Sequence, residues 1–131
     1  MFWRLALVIW LLLWARTGFP WRSFQWTPSF QNVELIPFLD GSLRGYVLNA
    51  LAFVPLGMIG IGLGAPSRMV IGAGFSVSFL TECLQLLSSR RYPSTTDLIL
   101  NTLGALIGVC IAVGWSRFAR RSVRATEIVE P

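Results

Sequence analysis

An all-α membrane protein with four transmembrane helices is the fold the sequence predicts, and three observations predict it. Of 131 residues, 54% are hydrophobic and only 13% are charged, too apolar a mixture for a soluble domain of this size. Three apolar runs, residues 43–64, 69–87 and 98–115, approach the ~20 residues a helix needs to cross hydrocarbon. A fourth run, residues 2–15, is shorter and carries Arg4, but Trp3, Trp10 and Trp14 give it the aromatic ends of a resident span. Residues 1–131 then form a single domain.

The first run has the charge and length of a signal peptide, yet Ala15-Arg16-Thr17 is a poor small-residue cleavage site. It is therefore expected to be retained. Orientation follows from the arginines. Arg117, Arg120, Arg121 and Arg124 follow the last run closely, and positive flanks prefer the cytoplasm. Residues 117–131 become a cytoplasmic basic tail, and counting back through four spans places the N-terminus inside as well. Segments 17–42 and 88–96 then face the exterior. The tail arginines share one helical face, which reads as an anchor on anionic headgroups rather than as a nucleic-acid surface.

Between the first two spans, Phe19, Trp21, Phe24, Trp26, Phe30 and Phe38 alternate with Arg22, Gln25, Gln31 and Asn32. Trp and Arg together favour the headgroup layer, while Pro20, Pro28 and Pro37 preclude one long helix. This aromatic-rich interfacial segment is either a lid over the bundle or a collar around it. In the second span, Gly57, Gly60, Gly62 and Gly64 allow close helix approach, as do Gly104 and Gly108 in the fourth. The same faces suit packing within the chain, a homo-oligomer or a larger membrane partner. Pro55 frees the Leu51 carbonyl and predicts a kink.

The absence of His and Lys removes imidazole metal sites, Ser-His and Cys-His pairs, Schiff bases and a P-loop lysine. No metal and no cofactor are expected. Cys83 and Cys110 lie in separate spans at depths that differ by roughly 12 Å, too far for a disulfide. They read as small helix-packing residues.

The chemistry is concentrated in a few intramembrane polar groups. Glu82 sits within an apolar run where an ionised carboxylate costs about 2.5–3.5 kcal/mol on the insertion scale, so it must be paired, protonated or used. Gln85 shares its face at i, i+3, Asp97 and Asn101 share another at i, i+4, and Asn49 lies about two turns into the second span. In the four-span topology all five fall in the outer half of the bundle, with Arg44, Arg90 and Arg91 around the rim. They are expected to line one polar pocket opening outward. The structural alternative for Glu82 is a register-fixing hydrogen bond to Asn49 or Asn101. Ser94, Thr95 and Thr96 offer a cap for the fourth helix.

These residues also carry a resemblance. Residues 49–57, NALAFVPLG, are followed by TECLQ at 81–85, an arginine pair, and DLILNTLGALIG at 97–108, with LIPF upstream at 35–38. In this order they resemble the VanZ-like family of small bacterial membrane proteins over residues 33–113. Glu82, Gln85, Asp97 and Asn101 occupy its motif positions. Two positions depart from its pattern: Glu34, where Asn is usual, and Thr96-Asp97, where paired aspartates are usual. The resemblance implies a cell-envelope protein of the cytoplasmic membrane and a link to resistance against the glycopeptide antibiotic teicoplanin, with no defined reaction attached.

The expected function is binding: Asn49, Glu82, Gln85, Asp97, Asn101 and Arg91 would hold the polar part of a glycopeptide or a lipid-linked envelope molecule. The alternatives are an enzyme using Glu82 and Asp97 as acid and base, and a structural subunit of a membrane complex. Beyond such a ligand, the bilayer is the expected partner and nucleic acid is not.

Overall fold

The computed structural model describes residues 2–18, 23–30, 33–38, 42–89 and 92–127, with side chains described for 2–15, 23–30, 33–38, 42–89 and 92–120. Among them lie four α-helices and no strand: α1 (Phe2–Gly18), α2 (Leu43–Gly62), α3 (Ser67–Gln85) and α4 (Thr95–Glu127). Each predicted run is a helix. The fourth continues twelve residues past Trp115, because the tail holds Arg, Ala and Glu and no helix breaker before Pro131.

Two of the four, α2 and α4, are long and apolar enough to cross a membrane. The apolar part of α1, Phe2–Ala15, is shorter than that. In α3, nineteen residues long, Arg68, Glu82, Gln85 and four hydroxyl side chains dilute the hydrophobicity. Only 22% of the apolar window of α2 and 28% of that of α4 is buried inside the protein, whereas the core helix of a soluble domain would be largely enclosed. Leu48, Leu51, Leu106, Ile107 and Ile111 are exposed, while Ser78, Thr81, Glu82, Gln85 and Asn101 are buried. Polar groups inside and apolar groups outside are the distribution that a lipid solvent selects.

Helix α4 packs chiefly on α2 and next on α3, and α1 packs on α2. The α2–α4 contact is backbone on backbone. A Cβ on Gly57 would lie 2.8 Å from the Val109 nitrogen and 2.9 Å from the Gly108 Cα. On Gly104 it would collide with the Ala50 carbonyl, and on Gly108 with that of Val54. The small-xxx-small face of α4 is thus used within the chain. Gly74 of α3 faces the side chain of fully buried Ala105. Cys83 and Cys110 are both exposed, a correction to their reading as packing residues: each falls on a helix face turned away from the neighbouring helices.

Trp10, Phe53, Leu56, Ile59 and Ala105 form the core. The Trp10 ring meets Phe53 edge-on, and its Nε1 donates to the Ala52 carbonyl at 2.7 Å. Pro55 lies inside α2 and has no N–H to offer the Leu51 carbonyl one turn back. The carbonyl next to the predicted one, Ala52 rather than Leu51, is the one the indole takes. Between the two helices runs an apolar groove of about 430 Å³ lined by Trp3, Ile9, Trp10, Pro55 and Met58 among others.

Candidate functional site

The first turn of α4 gathers polar groups from three other parts of the chain. A helix N-terminus presents unsatisfied N–H groups and a partial positive charge. Here they are met from outside the helix. The Ser94 N–H donates to Oε2 of Glu82 at 2.7 Å, linking α3 to the start of α4. The Thr95 N–H donates to the Glu34 carbonyl at 3.0 Å, and the Glu34 N–H to the Pro93 carbonyl at 2.9 Å.

The Glu34 carboxylate is bonded through both oxygens. Oε2 accepts from the Ser94 hydroxyl at 2.9 Å and Oε1 from the Thr96 hydroxyl at 3.1 Å. Thr96, 1% exposed, also accepts the Phe38 N–H at 2.8 Å. Phe38 has a left-handed backbone with φ of 65°, a conformation costing a non-glycine residue about 1–3 kcal/mol, and this bond helps to hold it there. Ser94 therefore carries one carboxylate on its amide and another on its hydroxyl. Asp97, one turn further on, accepts from the Asn49 amide of α2 at 2.5 Å. Three carboxylates, from the 33–38 segment, from α3 and from α4, thus converge on a single helix terminus.

Of the residues expected to form one pocket, Asn49 and Asp97 meet directly. Glu82 and Gln85 are buried on the inward face of α3, with Glu82 directed at Ser94 rather than at Asn49 or Asn101. Asn101 donates to the hydroxyl of Ser78 at 3.0 Å, both residues being buried between α3 and α4. Arg44 is exposed at the start of α2, and Arg90 and Arg91 lie outside the described residues. Sequence reasoning missed Glu34 and Ser78 as partners. Ser78 was within reach, since it precedes Glu82 by four residues on the same face. Glu34 was not, because its place depends on pairing between two loops.

That pairing organises the whole polar end. Residues 23–30 and 33–38 form a strap against residues 86–89 and 92–96, from the end of α3 to the first turn of α4, with bridges between Phe24 and Ser88 and between Glu34 and Ser94. A concavity of about 600 Å³ on the strap is lined by Gln25, Thr27, Pro28, Ser29 and Phe30. The side chains of the cluster can accept hydrogen bonds from ammonium or hydroxyl groups. No group of three or more His, Cys, Asp or Glu among the described residues is placed to hold a metal ion.

The two departures noted in the sequence touch one another, since Glu34 binds Thr96. No curated protein and no solved structure matches the chain significantly. A family model described as VanZ/LLP1 matches residues 2–118, which takes in all four helix starts, the paired loops and every carboxylate of the cluster. On that match the chain belongs to the VanZ/LLP1 family.

Proposed function

We propose that this membrane protein spans the bacterial cytoplasmic membrane four times, with both termini inside, and uses the polar end of its bundle to bind the head of an amphiphilic envelope molecule. A glycopeptide, or a lipid-linked precursor carrying amine or hydroxyl groups, has the matching chemistry. One observation supports this reading above the others: three carboxylates converge on the first turn of α4, and a carboxylate that already holds one donor has acceptor sites for another. Glu34, Glu82 and Asp97 would receive cationic or hydroxyl groups, and Gln85 would add an amide. Asn49 holds Asp97 in place, while Asn101 serves to pin α3 to α4. A role in glycopeptide resistance follows if the bound molecule is the drug or its target.

Teicoplanin and a lipid-linked peptidoglycan precursor, each titrated against purified protein in detergent, test the proposal. Glu82→Gln keeps the size and an acceptor for the Ser94 amide but removes the charge. It should weaken binding about tenfold, on the order of 1.4 kcal/mol, with the melting temperature nearly unchanged. Unaltered affinity would remove the carboxylate from recognition, and loss of the folded protein would assign Glu82 to architecture.

A second reading gains from Glu34. It places another acid near Glu82, with Ser94 bonded to both, a pair that could serve as general acid and base on a lipid-linked substrate. Turnover of such a substrate by the purified protein, lost in Glu34→Gln and in Asp97→Asn, would establish it.

A further inference from the structure

The strap, residues 23–30 and 33–38 between α1 and α2, is irregular backbone at the end of a membrane bundle. Unsatisfied N–H and C=O groups are costly there, and irregular chain survives at that depth only where its backbone is satisfied by protein. Several of the strap's backbone groups meet this condition. The N–H groups of Gln25, Ser29 and Glu34 donate to the carbonyls of Leu87, Leu86 and Pro93 at 2.8–2.9 Å. The Ser89 N–H returns a bond to Ser23 at 2.9 Å, and the Ser23 and Ser88 hydroxyls share one at 2.8 Å.

With its backbone bonded to Leu86, Leu87, Ser89, Pro93 and Thr95, the strap turns its apolar side chains away. Ser23 and Gln25 are half-buried while Phe24 and Trp26 point out, the alternation of an extended chain with one covered face. Trp26 is 89% exposed, and Phe30, Leu35 and Ile36 each more than 60%. A run of large exposed apolar groups on one short segment is a surface built to be covered.

We propose that the strap is a membrane-docking platform, with Phe24, Trp26, Phe30, Leu35 and Ile36 inserted into the lipid interface on the side of the α4 N-terminus. Lipid is the occupant because the edge is continuous with a surface that hydrocarbon already covers. The Phe38 ring packs edge-on against Tyr46 of α2, and beside it Leu43, Val47 and Leu48 are exposed. Trp and Phe, anchored by a hydrogen-bonded backbone, are also the chemistry of the membrane–water boundary. The platform requires no ligand at the carboxylates, so it can fail or stand independently of the binding proposal.

An environment-sensitive NBD dye on Trp26→Cys tests this, in a chain whose exposed cysteines are replaced (Cys83→Ser, Cys110→Ser) and reconstituted in phosphatidylcholine–phosphatidylglycerol vesicles. Phe30→Cys gives an independent second site should the first variant fold poorly. The expected result is strong quenching by a shallow doxyl-labelled lipid and several-fold weaker quenching by aqueous iodide than for free dye in buffer. Iodide quenching equal to that of free dye would overturn the proposal. So would protection from iodide without doxyl quenching, because a protein or a second copy would then be the cover.

Discussion

Two stretches of α4 are held by opposite means. Around Gly104 and Gly108 the helix meets α2 with nothing between the backbones. At Ser94, Thr95, Thr96 and Asp97 it is held almost wholly through side chains and borrowed carbonyls. In lipid, where apolar side chains gain little by leaving one hydrocarbon for another, close backbone approach is the main source of helix adhesion. It specifies which helices touch, and it leaves no chemistry behind. The polar end specifies register and orientation, and it gathers the carboxylates Glu34, Glu82 and Asp97.

The contrast predicts unequal sensitivity. The largest effect should come from Gly104→Leu, whose side chain would have to enter the Ala50 backbone. Overpacking of this kind costs about 1–3 kcal/mol in a yielding core and more against rigid backbone, so loss of monodisperse protein on size-exclusion chromatography is expected. Normal folding would show that α2 and α4 can separate. Next is Glu82→Ala, which strips the buried Ser94 amide of its acceptor and should cost about 1–3 kcal/mol in reversible unfolding, clearly more than Glu82→Gln. Equal losses would mean that the negative charge, rather than the hydrogen bond, stabilises the helix start. The smallest is Asn101→Ala, expected near the ~0.6 kcal/mol average for bonds between membrane helices; a loss above about 2 kcal/mol would make the Asn101–Ser78 contact part of the polar end's architecture.

The four helices were legible because apolar runs of the right length are a coarse signal that survives any packing arrangement. The glycine face was legible for the same reason, since spacing alone places Gly104 and Gly108 together. Partnerships were less so. Glu82 and Asn101 are buried and Asn49 and Asp97 half-buried, but whether Glu82 turns to an asparagine or to a helix terminus depends on rotations that periodicity does not encode. Glu34 illustrates the limit. Nothing local distinguishes it from a solvated loop acid, and only the bridge to Ser94, sixty residues away in the chain, makes it a neighbour of Glu82. Ser94 and Thr96 were recognised as capping types, yet their hydroxyls donate to a carboxylate instead of accepting from the helix.

The indole bond from Trp10 to Ala52 has a consequence for biogenesis. Helix α1 is synthesised before α2, the helix it packs on, and the carbonyl its indole takes belongs to Ala52 of α2. Its final seat therefore does not exist until some forty further residues have been synthesised. Until then the Trp10 indole has no Ala52 carbonyl to bind, and the contact that seats α1 on α2 forms only after α2 is made.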